Sequence, residues 1–155
     1  FAGIRPQEVT RLTWNDIFLD TPSKVIKVRS MASKTGGTRQ VSICAALESW
    51  LRIAPRQEDN SICPPQWPVR WAGLRYRAGW DANGKRWPND ALRHTFASYH
   101  VLTHRDIPRL QLEMGHSSST QIMHRYMNLS GVDQEMAECF WNIVPEEDFY
   151  ADRNA

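Results

Sequence analysis

Two β-branched runs, KVIKV (24–28) and RQVSI (39–43), flank the stretch SMASKTGGT. The Gly36-Gly37 pair supplies a reversing turn, so the two runs are expected to form a β-hairpin with Lys34 near its tip. Elsewhere the apolar spacing is mostly helical, which confines the fold to the α+β class, mostly α-helical with a small antiparallel sheet packed among the helices. A short first helix begins at Pro6 in RPQEVTRL, where proline suits the first turn. AALESWLRI (45–53) is expected to be helical, Pro55 to Pro65 a loop, and the tryptophan- and arginine-rich 67–80 a further helix. From residue 89 the pattern is helical almost to Pro145. Asn89 or Asp90 caps a helix whose inward stripe is Leu92, Phe96, Tyr99 and Thr103, and RDIPRLQLEMGH forms a short helix stopped at Gly115. SSTQIMHRYM and GVDQEMAECFWNIV supply two more, and the sequence shows no internal repeat.

A length of 155 residues with 41% hydrophobic and 10% aromatic content fits one folded domain, expected over 1–145 with a frayed tail at 146–155. The opening FAGIRPQEV, without an initiator methionine, gives the expectation of an N-terminally truncated piece of a longer protein. No apolar run approaches the ~18 residues of a membrane span, so a soluble, cytoplasmic protein is expected. Cys44, Cys63 and Cys139 are odd in number, widely spaced and without a CxxC pair, which argues against a disulfide framework or a zinc knuckle. Residues 1–112 carry 17 Lys and Arg against 9 Asp and Glu, whereas 113–155 carry 2 against 8. A basic body with an acidic tail is compatible with a polyanionic partner.

Arg5, Lys34, Arg93, His116 and Tyr126 each sit beside a turn or helix signal, and each alone has an ordinary explanation as a solvated charge, a cap or half-buried packing. Together they carry more. AGIRPQEVTRLTWNDI, SKTGGTRQVSI, LRHTFASYH and MGHSSSTQIMHRYMN, spanning residues 2–128, resemble in order and separation the boxes of the tyrosine recombinase (phage integrase) family. The resemblance implies that family's catalytic-domain fold and places its two arginines on Arg5 and Arg93, its hairpin lysine on Lys34, its post-glycine histidine on His116 and its nucleophile on Tyr126.

The chemistry is coherent with those residue types. Two guanidiniums can clamp the nonbridging oxygens of a phosphodiester as charge grows on them, which suits Arg5 and Arg93. Tyr126 would attack phosphorus to give a 3′-phosphotyrosine that conserves the bond energy for rejoining, Lys34 would protonate the leaving 5′ oxygen, and His116 would add a hydrogen bond. The implied function is a site-specific DNA recombinase or integrase, with double-stranded DNA met by Arg5, Lys34, Arg39 and Arg93. No metal and no cofactor is called for. His100 and His104 lie four apart but lack the glutamate and third ligand of a zinc site. Bacterial or phage origin and association with the nucleoid follow from the same resemblance.

One position departs from the family pattern. Three residues before Arg93, where the family commonly has a histidine, this chain has Asp90. It either orients an arginine or serves as the base for the tyrosine. His94 turns about 100° away from Arg93 on a helix, which leaves it a supporting hydrogen bond or a contact with the site. Trp67, Trp71, Trp80 and Trp87 pack in the interior or stack on bases. Two further readings stand beside the recombinase: a catalytically impaired DNA-binding relic, and a type IB topoisomerase-like enzyme of the same chemistry. Val132, Met136, Phe140 and Ile143 or Val144 lie at near-helical spacing, and in the family a helix at this place docks on a neighbouring protomer, implying a homo-oligomer, a tetramer, on DNA.

Overall fold

The computed structural model describes residues 1–29, 37–82, 84–116, 118, 120 and 131–146. The helices are α1 (Pro6–Val9), α2 (Ala45–Ile53), α3 (Trp67–Arg77), α4 (Ala91–His104), α5 (Ile107–Met114) and α6 (Gln134–Trp141); the strands are β1 (Ile17–Phe18), β2 (Val25–Val28) and β3 (Arg39–Ser42). The fold is α+β, helix-rich with a small antiparallel sheet, as the sequence pattern implies. None of the helices among the described residues is long and apolar enough to cross a membrane.

The sheet runs in the order β1-β2-β3, with Ile26 facing both Ile17 and Val41, and Val28 facing Arg39. Side chains alternate along β2, so Ile26 and Val28 are buried while Lys27 between them is exposed. That inner face meets Leu12, Leu19, Val41 and Ile43, and Leu47 and Leu51 of α2 cover it from one side. Lys24, just before β2, reaches Glu48 of α2 at 2.6 Å. The two-residue β1 was not foreseen. It is set by a 3₁₀ turn at Trp14–Asp16, where buried Asp16 accepts both the N–H and the hydroxyl of Thr13 at 3.0 Å and pairs with Arg29 beyond β2 at 2.6 Å.

A second core lies between α4, α5 and α6 and is built from Phe96, Ala97, Val101, Leu110 and Met114, with Ile107 and Trp141 packed on it. The buried face of α4 is Arg93, Phe96, Ala97, His100 and Val101. It is therefore rotated from the expected stripe: Leu92 is 61% exposed and Thr103 lies at the surface. The rotation has a physical cause. Arg93 takes the first inward position because its guanidinium has buried carbonyl partners, and the apolar neighbour turns outward.

α3 stops at Arg77, before the expected residue 80, in a turn through Ala78 and Gly79. Its tryptophans are half-buried and pack on one another: Trp67 stacks on Trp71 at 5.7 Å between centroids, and Trp87 meets Trp71 and Trp80 edge-on. α6 packs on α4 through fully buried Ala137 and through Trp141, whose ring meets Phe96 edge-on and whose indole N–H donates to Thr103. Phe140 lies against Tyr99. Of the stripe expected on this segment, Met136, Ile143 and Val144 remain 44–50% exposed.

His100 sits in the second core with 4% exposure, and its Nδ1 has no hydrogen-bond partner among the described residues. Burial pushes its imidazole down to about 4 from the ordinary 6.5, and His104 adds to the effect. Between those values the unfolded chain binds more protons than the folded one, so stability is complete above pH 6.5 and is lost as pH falls toward 4. At pH 5 the expected loss from this group is about 2 kcal/mol. Urea unfolding of the protein and of His100→Phe at pH 7 and pH 5 checks this, since the variant should lack that part of the acid loss.

Candidate active site

α5 ends at Gly115, whose φ of +64° is the left-handed conformation that closes a helix, and the next N–H, of His116, returns to the Gln111 carbonyl at 3.1 Å. The end of a helix leaves carbonyls without intrahelical partners, and the macrodipole makes that end a seat for cations. Three successive carbonyls here each receive an arginine from a different element. Arg39 at the start of β3 donates through Nε to Glu113 O at 2.7 Å. Arg93 in the first turn of α4 donates through Nη2 to Met114 O at 2.7 Å. Arg5, immediately before α1, donates through Nη2 to Gly115 O at 3.2 Å.

Arg93 is 5% exposed, and its Nη1 donates to the Gly3 carbonyl. Gly3 has a φ of +57°, and a Cβ on it would lie 2.4 Å from the Phe96 ring, so a side chain there would displace either the ring or the carbonyl that Arg93 holds. His116 Nε2 lies 2.9 Å from Arg93 Nη2. A guanidinium has no acceptor, so Nε2 accepts and the ring hydrogen is carried on Nδ1.

Glu8 is the residue that the sequence reading passed over. It is 1% exposed and lies between two arginines: Arg39 grips both carboxylate oxygens at 2.6 and 3.1 Å, while Arg5 reaches it through Nη1 at 3.2 Å and through its backbone N–H at 3.1 Å. Burial would raise its pKa. Hydrogen bonds from Arg39 and the Arg5 N–H, with both positive charges, outweigh burial and hold it at about 2. The available signal was the Arg-x-x-Glu spacing with Pro6 at the first helical position, which makes Glu8 the third residue of α1 and puts its carboxylate on the N-cap N–H. Two arginines on this carboxylate, with Arg93 at the neighbouring carbonyl, leave a net positive site suited to an anion.

Asp90 occupies the N-cap position of α4 with a φ of 54°, is exposed, and makes no side-chain cap. With Arg93 it borders a cleft of about 560 Å³ whose walls include Pro6, Trp67, Trp71 and Trp87. His94 follows Arg93 on α4, half-buried. The structure thus brings Arg5, Arg39, Arg93 and His116 together, and Asp90 lines the same cleft as Arg93. Lys34 and Tyr126 lie outside the described residues.

This architecture is the fold of tyrosine recombinase catalytic domains. It matches XerA recombinase with a TM-score of 0.61 and 18% identity, over 100% of this chain and 55% of that one. It matches the Tn1549 transposon integrase, solved in complex with transposon right end DNA, with a TM-score of 0.56 and 18% identity, over 90% and 54% of the two chains. For XerH site-specific recombinase bound to its difH substrate the values are 0.56 and 20%, over 95% and 44%. The chain therefore spans about half the length of the solved proteins it matches. No curated protein sequence matches it. The model of the phage integrase family matches residues 2–131, and the chain belongs to that family.

Because Glu8 neutralises part of a buried cationic cluster, Glu8→Gln should destabilise the protein at pH 7 by about 3 kcal/mol in urea unfolding. The wild type should lose this contribution as pH falls from 4.5 toward 2, where Glu8 takes up its proton, and the variant should not show that loss.

Proposed function

We propose that the chain is the catalytic part of a site-specific DNA recombinase or integrase that cuts and rejoins strands through a covalent 3′-phosphotyrosine. The observation that carries the reading is the meeting of Arg5, Arg93 and His116 at the end of α5, within the family to which the chain belongs. The two guanidiniums, one before α1 and one in the first turn of α4, act as the clamp on a scissile phosphate and stabilise the charge that develops on its nonbridging oxygens. His116, with Nε2 engaged by Arg93, has Nδ1–H as its donor toward that phosphate.

In the cleavage step the Tyr126 oxygen attacks phosphorus and the bond to the 5′ oxygen breaks, with Lys34 giving that oxygen its proton. The tyrosine's proton passes to water or to Asp90. Rejoining reverses each transfer, with a 5′ hydroxyl as the nucleophile. Asp90, lining the same cleft as Arg93, is assigned either the role of base or that of orienting the arginine, and both roles make it matter for cleavage. Double-stranded DNA is the substrate, in keeping with the DNA complexes of the Tn1549 integrase and XerH. The exposed Met136, Ile143 and Val144 at and beyond α6 supply the apolar surface for a neighbouring protomer on DNA. A second reading, a relic that binds DNA without cutting, is favoured only by the aspartate at position 90.

The test is a suicide substrate, DNA nicked beside the recombination site, incubated with the full-length protein. The expected result is a protein-linked 3′ phosphate on Tyr126 that is absent in Tyr126→Phe and reduced roughly 10- to 100-fold in Asp90→Ala. DNA binding without any adduct would establish the relic instead. Full cleavage by Asp90→Ala would remove both roles assigned to that residue.

A further inference from the structure

Arg39 was expected among the DNA contacts, yet its side chain is only 9% exposed and its donors face inward. Nη1 and Nη2 take the two oxygens of Glu8 as a fork, and Nε takes Glu113 O. Its chain lies across Gly115, where an added Cβ would be 3.1 Å from Arg39 Cδ. Its Nε, Nη1 and Nη2 are all engaged within the protein, and the side chain bridges α1 to the end of α5.

The bridge reaches both arginines of the clamp. Glu8, gripped by Arg39, is the carboxylate that holds the Arg5 side chain and its backbone N–H. Glu113 O, the other partner of Arg39, directly precedes the Met114 carbonyl that holds Arg93. We infer that Arg39 is a positioning residue, which sets the places of Arg5 and Arg93 through Glu8 and the α5 terminus without touching DNA. The inference rests on the reading of Arg5 and Arg93 as the phosphate clamp. Lysine cannot replace it: a single ammonium keeps the charge but cannot span two carboxylate oxygens and a carbonyl in one plane.

Three readouts on the full-length protein separate positioning from contact. The first two compare wild type with Arg39→Gln, which removes the charge, with circular dichroism to establish that the variant is folded. Its affinity for site DNA and the slope of log affinity against log salt should match wild type, because no phosphate contact is lost. Its single-turnover rate of adduct formation at saturating DNA should fall by up to about 100-fold, as expected when reacting groups shift by about 1 Å. The third readout needs no variant. The Arg39 Nε–H, followed by ¹⁵N NMR, should be protected from solvent exchange in the free protein and equally so with DNA bound.

A salt slope shallower by about 0.9 with the saturated rate retained would make Arg39 a phosphate contact and overturn the inference. An unchanged slope with an unchanged rate would leave it no positioning role. An Nε–H that becomes protected only when DNA is added would overturn the inference even if Arg39→Gln fails to fold. Absence of adduct from the wild type itself would be a different result, sinking the cleavage reading and this inference with it.

Discussion

The C-terminus of α5 is the point on which the candidate site depends. A helix end inside a protein leaves carbonyls that must be satisfied, and in this chain arginines from β3, α4 and the residue before α1 satisfy three in a row. Each charge-assisted bond contributes on the order of 1.5–3 kcal/mol, and breaking the one from Arg93 would leave a buried carbonyl orphaned. The same bonds that complete α5 therefore fix three cations within one small volume. Like charges crowded together repel, and Glu8 makes the arrangement tolerable by lying between two of them.

The two cores serve this meeting from opposite sides. The sheet core sets β3, and with it the first residue of that strand, Arg39; the helical core sets the α4–α5 pair and with it Arg93 and the end of α5. Gly3 joins them, since its carbonyl accepts from Arg93 while its bare Cα lies against Phe96. Packing and chemistry are thus not separable here. The α4 face that buries Phe96 and Ala97 also buries the stem of a charged residue, and the second choice displaces Leu92 into solvent.

That displacement explains where the sequence was legible and where it was not. The strands at 25–28 and 39–42 and the helix at 45–53 follow from alternation and amphipathic spacing, and Gly115 marks the end of α5 as a left-handed stop should. The two-residue β1 has too little pattern to be seen. The inner face of α4 was missed because an apolar stripe assumes that arginine faces out. Glu8 escaped for the same reason, since an acid on a four-residue helix ordinarily reads as solvated. Arg5, Arg93 and His116 were singled out through the family resemblance, whereas nothing in their sequence spacing could show that they share neighbouring carbonyls. Arg39 reads from sequence as a hairpin cation, and only the structure gives its burial.

The depth at which Glu8 is held ionised has a consequence for kinetics. A carboxylate whose proton returns only near pH 2 contributes no titration anywhere in the range where an enzyme is ordinarily assayed. The Glu8 charge that faces Arg5 and Arg39 is then constant across that range. An inflection in a pH–rate curve within that range therefore has a source other than Glu8.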